Sequence, residues 1–374
     1  MKKINNIFSI LFLIFIFFFF LYNIFVEDKT FSYNENRELA QKPELSVVSI
    51  SDGTYMENIE VYVNDQIALR DSFVKLSTNV KLLLGQKEIN DVYVVDDYLI
   101  DKFNKSKIDE KLLDRNLGYI EEFMRKYANS YISIIPTSTE ILGYKLSKYI
   151  DNVNQKEIIE RIVEDKSNID IYSKLLEHNM EDIYYRTDHH WTSLGAYYGY
   201  ISICEKLGLS VIDLKDFEKE VIDDKFSGTI QSKVNLDFGY DILYKYNIKG
   251  LQPKYKRIVD ENLKNISDSL YDYSKLQTKE KYAVYIGGNS AITRIYSENI
   301  KEDKGRLLLI KDSYSHSLVP FLTNHYSEIV LIDLRYFNVS LNQFLQEEED
   351  FNDIILIWNL ANFVGDRGLI KLIK

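Results

Sequence analysis

An unbroken apolar run opens the chain, and helical or strand-like patterns follow it. Ile4–Val26 contains no charged residue, and Ile10–Leu21 is Ile, Leu and Phe throughout. As a helix these 23 residues reach about 35 Å, enough for a hydrocarbon core of about 30 Å. Lys2 and Lys3 precede the run, and Glu27 and Asp28 follow it. That asymmetry predicts a single-pass membrane anchor over residues 1–26, N-terminus in the cytoplasm and the body outside. A cleaved signal peptide is the alternative, but the run is long for one and no A-x-A site follows. Either way the body is exported.

Beyond the anchor, residues 27–50 read as a stalk, polar over Phe31–Leu45 with Asn34, Glu35, Asn36 and Arg37. Ser51–Leu84 has helical spacing at Ile59, Tyr62, Val63, Ile67 and Val74. Asp91–Val95 and Tyr98–Ile100 predict short strands, Ile108–Tyr127 an amphipathic helix and Tyr131–Ile135 a strand stopped by Pro136. That order is expected to begin a parallel α/β unit. The C-terminal third repeats the grammar. Tyr282–Ile286, Arg306–Ile310, Ile329–Leu334 and Ile354–Trp358 are apolar runs, with helices expected at Ser315–Leu322 and Ser340–Glu348. Runs apolar on both sides predict strands of a buried parallel sheet. Asp216–Thr278 is polar and poorly periodic, and reads as an insertion or cap with strand content. Residues 51–374 are thus expected to form one extracytoplasmic α/β domain with its insertion at 216–278.

Composition narrows the function. A charge sum of 46 − 57 = −11 leaves no general footprint for nucleic acid. One cysteine, Cys204, excludes an intrachain disulfide and Cys-rich zinc sites.

Two places carry candidate chemistry. In Asp188-His189-His190-Trp191 two of the five histidines stand beside a carboxylate and one of the two tryptophans. A helix is expected next, with Leu194, Tyr197, Tyr198, Ile201, Cys204 and Leu207 on one stripe and Thr192 as N-cap. Asp188 is spaced to meet the ring of His190 and fix its tautomer. In Leu307–Ser313 a serine follows a strand at the sheet's carboxyl edge, where its hydroxyl is presented and its N–H faces a developing oxyanion. A serine hydroxyl needs a base, and His190 is the candidate. Ser313 or Ser315 capping the following helix is the plainer reading. A metal held by Asp188, His189 and His190 is the other use of that cluster, but adjacent rings rarely converge on one ion, so no metal is expected. His178 and His316 are expected at the surface, His325 at a helix C-terminus, and Arg186 and Arg367 as surface or ion-pair residues. Asn359, His189 and Tyr314 are the substrate or oxyanion candidates.

The motif at 188–191 resembles the signature of the bacterial DHHW family, itself similar to the alginate O-acetyltransferase group of SGNH-hydrolase-like exported proteins. Further matches are Asn64-Asp65-Gln66, Ala68-Leu69-Arg70-Asp71, Asn90-Asp91-Val92-Tyr93, Phe226-Ser227-Gly228-Thr229 and Lys311-Asp312-Ser313-Tyr314. The resemblance implies an SGNH-like parallel sheet flanked by helices and a triad of Ser313, His190 and Asp188. It also implies O-acetyl transfer to a cell-envelope polysaccharide or glycan, with no cofactor, and a multi-pass membrane acyltransferase as partner. A carbohydrate esterase using the same triad and a non-catalytic glycan-binding protein are the alternatives. Where the family's nucleophile motif has Gly, this chain has Lys311, whose bulk bears on the turn.

Overall fold

Strands and helices fall into two units in the computed structural model, which describes residues 2–146, 150, 152–163, 167–261 and 265–374. Met1 of the expected anchor and residues 262–264 of the expected insertion lie outside the described residues. The chain divides between Asn90 and Asp91, and residues 231–237 belong with the first unit.

The first unit begins with a helix, Lys2–Phe25, in which Ile7–Phe25 is long and apolar enough to cross a membrane. A small hairpin of β1 (Phe31–Ser32) and β2 (Arg37–Glu38) follows. Arg37 grips Asp65 with two bonds of 2.9 and 2.6 Å, and the Ala40 N–H adds a third. The Arg37 bond, opposed by burial, holds the Asp65 carboxyl down at about 2. The helical pattern of Ser51–Leu84 is realised as Thr54–Gln66 and Arg70–Leu83, broken where Leu69 takes a φ of 61°. β3 (Glu88–Ile89) ends this stretch.

The second unit opens with a hairpin, β4 (Val92–Val95) and β5 (Tyr98–Asp101). The sequence pattern placed Tyr98–Ile100 in a parallel unit, but the two-residue Asp96-Asp97 connection, with Asp96 at φ 46°, folds β5 back onto β4. The helix Glu110–Lys126 then leads to β6 (Ser130–Ile135), an edge strand of the main sheet. β7 (Phe217–Phe226) and β8 (Asp241–Ile248) form a separate antiparallel ribbon. β9 (Lys254–Val259), β10 (Ile266–Ser267), β11 (Ile292–Glu298), β12 (Arg306–Lys311), β13 (Glu328–Ile332) and β14 (Asp353–Asn359) complete a seven-stranded sheet of order β10-β9-β11-β13-β12-β14-β6. β13, β12, β14 and β6 are parallel, and β11, β9 and β10 continue the sheet antiparallel. The stretch expected as an insertion therefore supplies two strands of the main sheet as well as the ribbon. Tyr282–Ile286 is not a strand: Lys281–Val284 winds into a 3-10 turn.

The parallel strands are buried on both faces, which is why they read as continuous apolar runs. Leu307, Leu309, Ile329, Leu331, Ile355 and Ile357 point to one side, where Ala196, Tyr200 and Ile203 of the helix Ser193–Leu207 cover them. Leu308, Ile310, Val330, Ile332, Leu356 and Trp358 point to the other, against Leu113, Ile120 and Phe123 of Glu110–Lys126. Loops at the carboxyl ends of β12, β14 and β6 are thereby set on a rigid base.

Candidate active site

The Asp188–Trp191 loop is pinned at its base by backbone bonds. Tyr184 bridges Trp191, the Tyr185 N–H meets the His190 carbonyl at 3.2 Å and the Thr192 N–H meets that of Ile183 at 2.9 Å. The Thr192 hydroxyl caps the helix Ser193–Leu207 by accepting the Gly195 N–H. Two glycines on that helix make room for the loop. A Cβ on Gly195 would lie 2.3 Å from the Ile183 carbonyl oxygen, and one on Gly199 2.8 Å from the Trp191 ring. Trp191 is wholly buried, and its indole N–H donates to the Tyr314 carbonyl at 2.8 Å.

The serine turn hangs from β12. Asp312, buried, accepts the Tyr314 N–H at 2.9 Å, the Asn359 N–H at 2.8 Å and the Asn362 amide at 2.7 Å. It so ties the end of β12 to the end of β14 and starts the 3-10 turn Ser313–Ser317. Lys311, one residue earlier, is buried too. Its ammonium donates to the Nε2 of His316 at 2.8 Å and lies 3.7 Å from Asp333, which Arg335 also engages at 2.6 Å. Burial, opposed by Asp333, brings Lys311 down to about 8. Burial and the Lys311 charge hold His316 well below the usual imidazole range, so its ring is a neutral acceptor. The lysine leaves the turn intact by pointing into this polar pocket.

Loop and turn meet in one hydrogen-bond chain. His190 Nε2 lies 2.8 Å from the Ser313 hydroxyl, and His190 Nδ1 lies 2.6 Å from Asp188. The second Asp188 oxygen accepts the Thr229 N–H at 2.8 Å and its hydroxyl at 3.0 Å. Burial alone would raise the Asp188 carboxyl, but both histidine rings and these donors hold it far below the ordinary range. Burial, then the His189 ring, push His190 down to about 4 against the pull of Asp188. At neutral pH the ring is therefore uncharged, with its proton on the Asp188 side and a lone pair toward Ser313. Tyr282 stacks on the His190 ring, centroids 3.9 Å apart at 12°.

The other candidates fall elsewhere. The Asn359 amide is spent: both its donor contacts go to the carbonyls of Ile135 and Pro136, at 3.1 and 3.2 Å, and its oxygen caps Ala361. It has no proton left for an oxyanion. Tyr314 is buried, with its hydroxyl on the His189 carbonyl and its N–H on Asp312, so it braces the two loops together. His189 is about one-third exposed beside the chain, with Nδ1 on the Thr229 hydroxyl at 2.8 Å. His316, expected at the surface, is buried because Lys311 needs an acceptor there. His325 follows the short helix Val319–Leu322 and is buried between Tyr200 and Glu302, while His178 stacks half-buried on Tyr198. Arg186 pairs with Asp97 and Asp182. Ligand atoms of Asp188, His189 and His190 lie within 4.8 Å of one another, close enough for an ion, but the ring nitrogens on that side are engaged with Asp188 and Thr229. Sequence reasoning missed three contributors. The pattern reads Tyr282 as strand, Lys311 only as a departure, and Gly228-Thr229 only as a motif. A Cβ on Gly228 would lie 2.3 Å from that of Asp188, so the close approach demands glycine.

This sheet and the placement of the loops define an α/β protein of the SGNH-hydrolase-like type. The DHHW protein family matches residues 76–332, and the chain belongs to that family. A crystal structure of a DHHW family protein from Eubacterium siraeum is similar over 76% of this chain and 95% of its own, with a TM-score of 0.63 and 24% identity. Bacillus cereus PatB1, solved with a sulfonyl adduct, is similar over 74% of this chain and 98% of its own, with a TM-score of 0.60 and 18% identity. A second structure of Bacillus cereus PatB1 gives a TM-score of 0.58 at 19% identity, over 74% and 98% of the two chains. At such identities the likeness is one of fold. No curated protein matches the chain.

Proposed function

We propose that this chain is an envelope-side O-acetyltransferase acting on a polysaccharide or glycan, with Ser313 as nucleophile, His190 as base and Asp188 as its orienter. The observation that carries the reading is the continuous chain from Ser313 through His190 to Asp188, at 2.8 and 2.6 Å. Neutral His190 takes the Ser313 proton as the hydroxyl oxygen attacks an acetyl ester, and returns it to the departing alcohol. In the second half His190 takes the proton of a sugar hydroxyl, whose oxygen attacks the acetyl-serine. The ester bond to Ser313 breaks, and the proton returns to the serine. The Ser313 N–H, at the start of its turn, donates to the developing oxyanion. PatB1 accepting a sulfonyl group is in keeping with a reactive nucleophile on this fold. The span Ile7–Phe25 serves as anchor, with the body outside the cell membrane, and a multi-pass acyltransferase delivers the acetyl group.

The test uses the full chain in detergent with p-nitrophenyl acetate and an oligosaccharide acceptor, read by mass spectrometry. Acetylated oligosaccharide that disappears with Ser313→Ala is the expected result. Acetate released to water alone, acceptor present, makes the protein an esterase. Acetylation unchanged in Ser313→Ala overturns the nucleophile.

A further inference from the structure

The helix Arg70–Leu83 has an apolar stripe on the wrong side. Thr78 is buried, with its hydroxyl on the Val234 carbonyl, and Val74 and Leu82 flank it toward the unit's interior. On the opposite arc stand Leu69, Phe73, Leu76, Val80, Leu83 and Leu84, from 44% to 86% exposed. Phe73, Leu76, Val80 and Leu83 are spaced three, four and three apart, which places them along one line of the helix, with Leu69 and Leu84 just beyond its ends. Ser72, Ser77, Asn79 and Lys81, all exposed, border the line. A contiguous exposed apolar surface with a polar rim marks a protein or membrane contact.

The anchor helix decides between these. Phe19 meets Phe73 edge-on, ring centroids 6.0 Å apart, and the Asn23 side-chain oxygen accepts the Ala68 N–H at 2.7 Å. Phe19 lies six residues inside the end of the span Ile7–Phe25, or about 9 Å of helix rise. A residue touching Phe19 sits at the depth of the outer hydrocarbon, and the stripe starts from that residue. We infer that Arg70–Leu83 is an interfacial helix lying on the outer face of the bilayer beside the anchor, with its stripe in lipid and its polar rim among the headgroups. The inference rests on the reading of the N-terminal helix as an anchor. A span alone leaves the unit free to rotate about the membrane normal and tilt. A second, in-plane attachment fixes the tilt.

Nitroxide accessibility tests this on the full chain in phosphatidylethanolamine–phosphatidylglycerol vesicles. Labels are placed one at a time by Leu76→Cys, Val80→Cys, Lys81→Cys and Phe15→Cys. Cys204 is buried, and labelling of the unsubstituted chain checks that it stays silent. The expected result is that labels at 76 and 80, like that at 15, lose broadening by a nickel chelate and keep broadening by oxygen, while that at 81 responds to nickel. Nickel broadening at 76 and 80 with position 15 protected overturns the interfacial helix and spares the anchor. Nickel broadening at 15 overturns the anchor and the inference with it. Spin–spin broadening between labels at 80 that vanishes on dilution with unlabelled chain means a second copy covers the stripe, and also overturns it.

Discussion

The Asp188–Trp191 loop and the Lys311–His316 turn are joined by three hydrogen bonds but are held in different ways. The loop is fixed by neutral donors and by close backbone approach: Thr229 on Asp188, Gly228 against it, and the Trp191 indole on the Tyr314 carbonyl. The turn is fixed by buried charge: Lys311 on His316 and Asp333, Arg335 on Asp333, and Asp312 on β14. Neutral support tolerates the loss of one bond and fails mainly on steric intrusion. Buried ionic support fails when one partner is removed, because the remaining polar groups stay in low dielectric without compensation. On the proposed reading, His190 as base is thus carried on the forgiving side and Ser313 as nucleophile on the brittle one.

The largest effect on stability is expected at the brittle side. Lys311→Ala removes the donor of His316 and opens a cavity, and should cost about 3–5 kcal/mol, read by thermal or urea unfolding. Lys311→Met fills the same space but leaves His316 and Asp333 without the same partner, and should cost nearly as much. A much smaller loss for Lys311→Met than for Lys311→Ala would show that packing, and not charge, is what supports the turn. On the loop side, Gly228→Ala drives a methyl into Asp188, and the displaced carboxylate should lower the acetyl-transfer rate by about a hundredfold. A normal rate would place Asp188 outside the chain that matters. Trp191→Phe removes the shorter of two donors on the Tyr314 carbonyl and leaves part of the indole's space unfilled, with the hydrogen bond alone worth a loss of about 1–3 kcal/mol by unfolding.

The smallest expected effect is in the pH profile. As the proposed base His190 must be a neutral ring, and burial has brought it down to about 4. Protonation therefore removes the base only as pH falls through that value. The rate should hold between neutrality and about pH 5 and fall below it. A descending limb near the ordinary histidine value would mean that the ring is solvated.

How much was legible follows from the same physics. Leu307–Ile310, Ile329–Ile332 and Ile354–Trp358 are buried on both faces and read as strands unaided. β11 was invisible, since Arg294 and Tyr296 interrupt it, and Arg294 belongs there only because Glu328 and Glu348 receive it. Tyr282–Ile286 has strand-like composition, yet it winds so that Tyr282 reaches His190. Within the site, Asp188 and His190 are two residues apart, so their pairing is local. Ser313 is marked by its place after an apolar strand. Gly228, Thr229 and Tyr282 join from afar, with no periodicity to announce them, and the burial of Lys311 depends on Asp333 across the sheet.

The account turns on whether Ser313 becomes acylated through His190. Full chain quenched within its first turnovers of p-nitrophenyl acetate and digested should show a gain of about 42 Da, the mass of an acetyl group, on the peptide holding Ser313. The gain should be lost in His190→Ala, with circular dichroism showing the variant folded at the assay temperature. An adduct on another residue, or one on Ser313 that forms equally fast without His190, contradicts it.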